Sequence, residues 1–305
     1  MQHVKNAFFI VGPTASGKSE LAADVAARCG AEVVSADAFQ IYRGMAILTA
    51  QPGQAILGKA RHHLVDVVPP SEEMNAAKFR ELALAAIEEI KRRGKLAIVA
   101  GGSGLYLKAL THGLAPLPPV DPKLRAELDA LSLEELQTRL LAVDPLGAKT
   151  IDHRNKRRLV RALEIFAQTN RPASEQRSEW AQDVADPRGV FVFRERNELY
   201  SRIDRRVDEM FHEGVTDEVA RLGLLSSTAG KTLGLEQIHL LLEGKLSEAE
   251  CAAAIQQATR RYAKRQLTWF RRQPSLESLN LSLLKDHAAA VDWILQKVSL
   301  LPPSE

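Results

Sequence analysis

The chain has 305 residues, of which 45% are hydrophobic, so it can bury a full core and is long enough for about two domains. Its formal net charge is only +3, which gives little global indication of a polyanionic partner and leaves that question to local charge clusters. Cys29 and Cys251 are the only cysteines and lie far apart, which excludes a disulfide framework and a Cys-rich zinc module and is typical of the reducing cytosol. The N-terminus lacks the apolar core of a signal peptide, and no apolar run approaches the ~18 residues of a membrane span. We therefore expect a cytoplasmic protein with no membrane partner.

The most informative stretch is Gly12–Ser19, GPTASGKS, which follows an apolar run at 7–11 and precedes a helix-like run at 20–28. Its spacing matches the phosphate-binding loop G-x-x-x-x-G-K-[S/T], and its strand–loop–helix context makes a chance Gly/Ser-rich turn a poor alternative. Gly12 and Gly17 let backbone N–H groups approach phosphate oxygens, and the following helix adds the positive end of its dipole. The residues expected to cradle phosphate are Gly12, Pro13, Thr14, Ala15, Ser16, Gly17, Lys18 and Ser19.

Two side chains of this loop have specific predicted roles. Lys18 would contact a terminal phosphate, and the Ser19 hydroxyl would hold Mg²⁺, which prefers octahedral oxygen ligation shared with substrate phosphates. Mg²⁺ is therefore the predicted cofactor. Most such loops bind ATP or GTP, so the loop alone predicts nucleotide binding without identifying the phosphate compound.

Strands alternate with helices in the first part of the chain. Apolar runs predict strands at 7–11, 31–36, 62–68 and 95–100, and an apolar stripe at helical spacing predicts a helix at 76–93. Ligand-contacting groups of open parallel sheets follow the carboxyl ends of the strands. Asp37, after the second strand, is thus expected beside the phosphate loop if strands one and two are near neighbours. A glycine turn, Gly101–Gly104, follows the fourth strand and permits close approach of a ligand or of backbone.

The pattern changes after a proline-rich linker at 114–119. Only helical signals follow as far as about Trp180, and the apolar run Gly189–Phe193 then predicts a strand that returns to the sheet. We therefore predict an α/β core with a parallel sheet, formed by 1–115 and 189–305, and a helical insertion domain at 116–188. The last third of the chain is predicted to be helical, with a capping box at Ser247 that opens a long helix.

Two basic stretches provide local positive charge. Arg154, Arg157, Arg158 and Arg161 share one face of a predicted helix. The second stretch, Thr259–Arg272, contains six basic residues and no acidic one, interleaved with tyrosine, tryptophan and phenylalanine. Such stripes suit a nucleic-acid backbone with base stacking, although each could equally be a solvated helix face whose aromatics pack into the core. Two of them in a chain with a phosphate site favour nucleic-acid binding.

Five segments together resemble the tRNA dimethylallyltransferase (tRNA isopentenyltransferase) family, in the family's order. They are Gly12–Ser19, Ser35–Met45, Gly101–Tyr106, Arg161–Glu164 and Thr259–Arg271. The phosphate loop is shared with many NTPases, but its combination with an aspartate-x-x-glutamine turn and a basic-aromatic helix is highly specific. The lack of a Cys/His zinc module makes the chain similar to compact bacterial members.

The resemblance implies a P-loop NTPase-like core with a helical insertion that contacts tRNA. It implies transfer of a dimethylallyl group from dimethylallyl diphosphate to the exocyclic N6 amine of the adenine that is 3′-adjacent to the anticodon. The products would be N6-isopentenyladenosine in tRNA and diphosphate. The expected partners are the donor and the anticodon stem-loop of tRNA, and nothing in the sequence demands more than a monomer.

The resemblance also implies roles for individual residues. Asp37 would be the general base, with Lys18 and Ser103 as the other catalytic residues, and Gln40 would read an adenine edge. Ser103 stands where the family has threonine, and Gln51, Asn155 and Leu235 also depart from the commonest pattern. The residues expected to contact tRNA are Asp37, Ala38, Phe39, Gln40, Ser103, Arg125, Arg157, Arg158, Leu159, Val160, Arg161, Arg261 and Arg265.

Two alternatives remain open at this point. A P-loop small-molecule or nucleoside kinase would use the loop for phosphoryl transfer but would have no obvious use for the basic-aromatic helix. A nucleic-acid-binding protein without transfer activity would make the phosphate loop incidental. Asp37 itself could instead cap a helix or bind Mg²⁺ through water.

Overall fold

The computed structural model describes residues 6–114, 117–180 and 187–300, with the side chains of 177–180 excepted. Residues 115 and 116 of the predicted linker therefore lie outside the described part. The chain divides into two compact units, a core unit of Met1–Thr111 with Ala185–Glu305 and an insertion unit of His112–Val184.

A six-stranded sheet forms the centre of the core unit. Its spatial order is β3-β2-β4-β1-β5-β6, and every neighbouring pair is parallel, which confirms the predicted parallel α/β architecture. The strands are β1 (Ala7–Val11), β2 (Glu32–Ser35), β3 (His62–His63), β4 (Ala97–Gly101), β5 (Gly189–Phe193) and β6 (Glu277–Asn280).

Helices flank the sheet and make up the insertion. In the first half of the core unit they are α1 (Lys18–Cys29), α2 (Gln54–Leu57), α3 (Ala76–Arg92) and α4 (Gly104–His112). In the insertion they are α5 (Pro122–Ala130), α6 (Leu133–Val143), α7 (Pro145–Thr150), α8 (Lys156–Thr169) and α9 (Ala173–Trp180). The core unit then continues with α10 (Arg196–His212), α11 (Val215–Ala220), α12 (Leu235–Leu242), α13 (Glu248–Phe270) and α14 (His287–Ser299).

Strand β1 is buried on both faces, as its continuous apolar sequence requires. Phe8 and Ile10 pack into the cluster that α1 and α14 cover. Ala7, Phe9 and Val11 pack into the cluster that α3, α4, α10 and α13 cover. This period-two alternation fixes the register of β1, and so fixes where the phosphate loop leaves the sheet.

The insertion unit has its own small core. Leu136 and Leu140 of α6 pack there with Leu159 and Leu163 of α8, all of them nearly or fully buried. The helix α6 begins with a capping box in which the Ser132 hydroxyl accepts from the Glu135 N–H and the Glu135 carboxylate accepts from the Ser132 N–H. The predicted helical character of this segment is confirmed.

One predicted strand is wrong over most of its length. The run 62–68 forms a strand only at His62–His63, because Leu64 and Asp66 adopt left-handed φ angles of 62° and 56° that end the ladder. An isolated bridge then pairs Val68 with Tyr42, and neither residue belongs to a strand of the sheet. An apolar, valine-rich composition thus indicated a strand where the backbone turns instead.

Strands β1 and β2 are near neighbours with only β4 between them, so the condition for expecting Asp37 beside the phosphate loop is met. One further expectation is wrong. The last third of the chain is not purely helical, because it contains β6, which pairs with β5 at the sheet edge. Only Leu279 of β6 is buried, so this edge strand lacks the apolar run that identifies the central strands.

In the described part of the chain, no helix is long and apolar enough to cross a lipid bilayer.

A buried ionic cluster at the amino end of β2 predicts how stability depends on pH. Glu32 is 2% exposed and accepts hydrogen bonds from Arg93 at 2.7 Å and Lys95 at 3.1 Å, with His63 Nε2 at 2.8 Å. Burial alone would raise the pKa of this carboxyl, but the hydrogen bonds outweigh it and lower the pKa from 4.5 to about 2. The ionised form therefore stabilises the fold above about pH 4.5, and this contribution is lost as pH falls towards 2.

We expect Glu32→Gln to lower the free energy of unfolding at neutral pH. It should also reduce the slope of that free energy against pH below pH 4.5, by up to ~1.4 kcal/mol per pH unit. Urea denaturation at a series of pH values measures both quantities, with Glu81→Gln on the exposed side of α3 as the control. Equal slopes for Glu32→Gln and the wild-type protein would contradict this assignment.

Candidate active site

The backbone of the phosphate loop is shaped to bind an anion. Ala15 and Gly17 have φ angles of 62° and 96°, and α1 begins directly afterwards at Lys18. Left-handed residues interleaved with right-handed ones turn successive N–H groups towards one concave side, which the amino end of α1 extends. A Cβ atom at Gly12 would collide with the carbonyl oxygen of Val192, so only glycine fits there.

Two arginines donate hydrogen bonds to backbone carbonyls of this loop. Arg194, just after β5, donates from Nε to the Ser16 carbonyl at 2.8 Å, and Arg202 of α10 donates from Nε to the Ala15 carbonyl at 2.8 Å. Each bond fixes one peptide plane of the loop, and so the direction of its N–H groups. The sequence-based interpretation assigned no role to either residue.

Arg206, one turn further along α10, reaches the loop from inside the site. Its Nη1 donates to the Thr14 hydroxyl at 2.9 Å. Burial lowers the pKa of Arg206, and the charge of Asp37 opposes that effect. The buried Arg206 Nε and the buried Ser16 hydroxyl have no hydrogen-bond partner among the described residues, so both are free for a ligand. The four-residue spacing of Arg202 and Arg206, which puts both on one helix face, was the signal that could have identified them.

Lys18 is a buried residue of the phosphate loop. It is 8% exposed, and its Nζ donates to the Pro13 carbonyl at 3.4 Å. Burial lowers the pKa of Lys18 to about 8, an effect that the positive charge of Arg206 increases and the negative charge of Asp37 opposes. A bound anion would restore the full charge of this ammonium group.

Lys18 and Ser19 share a small cavity with a histidine that the sequence analysis placed in a strand. His62 lines this cavity, and its Nε2 is buried without a hydrogen-bond partner among the described residues. Burial lowers the pKa of His62, which favours the neutral imidazole. Ser35 and Gln40 also line the cavity and bring oxygen-bearing side chains to it. Oxygen donors of this kind suit Mg²⁺ shared with phosphates.

Asp37 lies in the turn after β2 and meets the phosphate loop despite the intervening strand. Its Oδ1 accepts from the N–H groups of Phe39 at 3.0 Å and Gln40 at 3.4 Å, so one carboxylate oxygen shapes the turn. Thr14, Asp37 and Arg206 line one cavity, whose other walls are Phe39, Leu48, Thr49, Met210, Thr232, Leu233, Ile255, Thr259 and Tyr262. The structure thus brings the predicted base together with Thr14 and Arg206 around one cavity, whose lining is partly polar and partly apolar.

Ser103 links this turn to the glycine turn after β4. Its hydroxyl accepts from the Ala38 N–H at 3.1 Å, and Tyr262 of α13 lies beside it. The approach is close because β4 lies beside β2, and a Cβ at Gly101 would collide with the Ala36 carbonyl oxygen. The polar group that the serine shares with the family's threonine is therefore used within the protein.

Gln40 is not free to read a base in this structure. It is 9% exposed, its Nε2 donates to the Ala50 carbonyl at 2.8 Å, and its Oε1 is 3.4 Å from the Ser35 hydroxyl. Gln51 donates to the Gln40 carbonyl at 2.9 Å. Reading of an adenine edge by Gln40 stays a prediction, and it requires the bond to Ala50 to be exchanged.

The helix α13 divides its basic and aromatic residues between two sides. Arg261 and Arg265 are exposed, as the nucleic-acid interpretation requires. The aromatics behave as the alternative predicted, because Phe270 is 1% exposed and Trp269 packs against Gly104, where a Cβ would meet the indole ring. Tyr262 is partly buried at the site. The basic face, and not a row of stacking aromatics, is what this helix offers to a partner.

The insertion unit corrects part of the predicted tRNA surface. Leu159 and Val160 are 0% and 1% exposed, so their side chains belong to the core of the insertion and do not reach a partner. Arg125 and Arg161 both bind the fully buried Glu164, at 2.5 and 2.7 Å. Removing one partner from such a buried cluster leaves uncompensated charge, so these two arginines have a structural role.

Arg161 also donates to the Pro118 carbonyl at 2.7 Å, which ties α8 to the segment before α5. Arg157 and Arg158, in contrast, are exposed on α8 and remain available to a nucleic-acid backbone. The Asn155 side chain caps this helix by accepting from the Arg158 N–H at 3.2 Å, which gives the departure at this position a local structural role.

Comparison with known proteins identifies the same family that the motifs indicated. The family model for IPP transferase matches residues 40–273. A tRNA dimethylallyltransferase of Akkermansia muciniphila is 41% identical over 290 residues, which is 95% of this chain and 98% of that protein. A tRNA dimethylallyltransferase of Citrifermentans bemidjiense is 46% identical over 267 residues, covering 85% of this chain and 87% of that protein.

Comparison with solved structures identifies the same family. A tRNA isopentenylpyrophosphate transferase from Bacillus halodurans superposes with a TM-score of 0.72 at 34% identity, covering 96% of this chain and 95% of that one. A eukaryotic dimethylallyltransferase, solved while acting on tRNA, superposes with a TM-score of 0.82 at 25% identity, covering 98% of this chain and 81% of that one. The chain therefore belongs to the IPP transferase family and is a prenyl-transferring enzyme, as the motif combination predicted.

Proposed function

We propose that this enzyme transfers the dimethylallyl group of dimethylallyl diphosphate to the N6 amine of the adenine that is 3′-adjacent to the anticodon of a tRNA. One observation carries the proposal: Asp37 faces the same cavity as Thr14 and Arg206, so a base and a phosphate cradle share one space. A small-molecule kinase would not need the basic face of α13, and membership of the IPP transferase family supports prenyl transfer over that alternative.

The phosphate loop would stabilise the leaving group. As the bond between the allylic carbon and the diphosphate oxygen breaks, negative charge grows on that oxygen. The other loop N–H groups, Lys18, Arg206 and the Ser16 hydroxyl, which has no partner among the described residues, would bind this charge. Ser19 would hold Mg²⁺, which, when bound, neutralises part of the diphosphate charge.

Asp37 would assist the incoming amine. The N6 lone pair of adenine is delocalised into the ring, so the amine is a weak nucleophile until it loses a proton. As the nitrogen–carbon bond forms, the proton moves to the Asp37 carboxylate and diphosphate leaves intact. General-base assistance of this kind contributes typically ~10²–10⁴-fold to the rate.

The walls of the cavity suit the rest of the reacting groups. Phe39, Leu48, Met210, Leu233 and Ile255 give it an apolar lining that can accommodate the isoprenoid and exclude the water that would capture the allyl group. The adenine has to leave its stack to enter, and a nucleotide in a loop is easier to extrude than a paired one.

The exposed arginines of both units are suited to the tRNA backbone. Arg261 and Arg265 on α13, and Arg157 and Arg158 on α8, present unshielded positive charge. The anticodon stem-loop is the proposed partner, and the cytoplasm, where this substrate occurs, is the proposed compartment.

The base assignment predicts a selective loss of turnover. Asp37→Asn keeps the oxygen that accepts from Phe39 and Gln40, so the turn should persist, but the amide cannot accept the proton. We expect kcat for prenyl transfer to fall by ~10²–10⁴-fold, with tRNA affinity within about threefold of the wild-type value. Single-turnover kinetics and a filter-binding titration measure the two quantities. Asp217→Asn, on exposed α11, is the matched control, and an equal loss of turnover and of tRNA affinity in Asp37→Asn would reject the base role.

The exposed face of α13 predicts a change in salt dependence. The double variant Arg261→Ala/Arg265→Ala should bind tRNA more weakly and reduce the slope of log affinity against log salt by about 1.5, because two phosphate contacts are lost. Affinity measured between low and moderate salt gives the slope. Lys91→Ala/Arg92→Ala at the end of α3 removes the same charge elsewhere. An unchanged slope in the α13 variant would show that this face does not lie on the phosphates.

The lowered pKa of Lys18 predicts how anion binding depends on pH. The protonated form binds diphosphate, so affinity should fall as pH rises through about 8, by up to about tenfold per unit until the pKa of the bound state is reached. Calorimetric titration with inorganic diphosphate between pH 7 and 9.5 measures this. Lys18→Arg keeps its charge over that range, so the ratio of the two affinities removes the titration of the ligand itself. An affinity ratio that does not change with pH would contradict a role for the protonated form of Lys18 in binding diphosphate.

A further inference from the structure

One buried amide on α13 joins two loops of the candidate site. Gln266 is 5% exposed, its Oε1 accepts from the Thr14 N–H at 2.9 Å, and its Nε2 donates to the Gly102 carbonyl at 2.9 Å. Thr14 belongs to the phosphate loop after β1, and Gly102 belongs to the glycine turn after β4. A single side chain thus bridges the ends of two adjacent strands.

The glycine turn continues this connection. Ser103 directly follows Gly102, and its hydroxyl accepts from the Ala38 N–H at 3.1 Å. Tyr262, one turn before Gln266 on α13, lies beside both Gln266 and Ser103, and burial together with the charge of Asp37 raises the pKa of its hydroxyl, so it stays protonated. Hydrogen bonds of Gln266 and of Ser103, which the glycine turn joins, therefore connect the phosphate loop to the residue that follows Asp37.

The chemistry at position 266 is specific. The Thr14 N–H can only donate and the Gly102 C=O can only accept, so the bridging group needs one acceptor and one donor at the same end of the side chain. An amide meets this requirement, whereas a carboxylate would oppose the Gly102 carbonyl with a second acceptor. The fit is close, because a Cβ at Gly102 would collide with Gln266 Nε2.

We propose that Gln266 is a positioning residue of the transfer reaction, which fixes the separation between the diphosphate cradle and Asp37. It touches neither the proposed donor nor the proposed acceptor, and acts by holding the Thr14 peptide and the glycine turn. Transfer requires the leaving oxygen, the allylic carbon and the amine to be in line, and a displacement of ~1 Å can cost about 10²-fold in rate. The inference rests on the proposed prenyl transfer.

Two variants separate hydrogen bonding from side-chain volume. Gln266→Met has similar length but neither bond, and we expect kcat to fall by about 10²-fold and diphosphate affinity to fall several-fold. Affinity for tRNA should stay within about threefold, because Gln266 lies on the buried side of α13 while Arg261 and Arg265 lie on the exposed side. Gln296→Met, exposed on α14 across the sheet, controls for the substitution itself.

Gln266→Glu adds a second measurement, the pH dependence of the relative rate, which would not change if Gln266 had a purely structural role. The introduced carboxyl is buried beside a carbonyl oxygen, so its neutral form is favoured, and that form restores the donor to Gly102. The rate of this variant relative to the wild-type enzyme should therefore rise as pH falls, whereas Gln266→Met should show no such recovery. Dividing by the wild-type rate removes the pH dependence that the two enzymes share.

Two results would overturn the positioning role of Gln266. A Gln266→Met enzyme with kcat within about threefold of wild type would overturn the positioning role. An equal loss of tRNA affinity and of kcat, with no change in diphosphate affinity, would overturn it as well. If the wild-type enzyme did not prenylate tRNA, the proposed function would fail, but calorimetric diphosphate affinities of wild type and Gln266→Met would still test whether the amide holds the cradle.

Discussion

The buried Lys18 and the half-buried Arg206 both lie close enough to Asp37, beside the phosphate loop, to be affected by its charge. Burial lowers the pKa of each, and the charge of Asp37 opposes that effect for both, with Glu209 also opposing it for Arg206. Two cationic groups beside the carboxylate of Asp37 favour the binding of an anion. The Ser16 hydroxyl and Arg206 Nε, unpartnered among the described residues, are two further groups that can bind it. In the surrounding sheet, β4 lies between β1 and β2, and this order of strands brings these groups together.

This electrostatic arrangement explains how a loop common among NTPases can serve a different reaction. The cavity beside the loop is lined by both apolar and polar residues, and Asp37 is one of them. A carbon-centred transfer needs a site for the departing diphosphate, an apolar surface for the allyl group and a base for the amine, and the proposed function assigns these three needs to different residues of the site. The basic face of α13 lies on the same helix as Gln266, so the proposed tRNA surface and the phosphate loop are joined by one rigid element.

The sequence predicted the parts of the site that depend on local pattern. The phosphate loop, Asp37 and the parallel α/β core followed from spacing and from the carboxyl ends of apolar strands. Arg194 did not follow, because a single arginine after a strand has no local pattern that distinguishes binding to a loop carbonyl from binding to water, and the helical spacing of Arg202 and Arg206 does not by itself say what they bind. Leu159 and Val160 were expected at the tRNA surface, but the helical period of 3.6 residues puts both on the buried face of α8, together with Leu163. The strand predicted at 62–68 was wrong over most of its length, because an apolar composition does not reveal the left-handed φ angles of Leu64 and Asp66.

The central claim is that the phosphate loop holds a leaving group and not a transferred phosphoryl group. Phosphorus NMR of the wild-type enzyme with Mg²⁺, dimethylallyl diphosphate and an unmodified tRNA that has adenine 3′ to its anticodon tests this directly, with the modified nucleoside counted from the same sample. The account predicts one intact diphosphate for each adenine that gains an isoprenoid, without added nucleotide. Release of orthophosphate, a requirement for ATP, or diphosphate formation without modified adenine would contradict it.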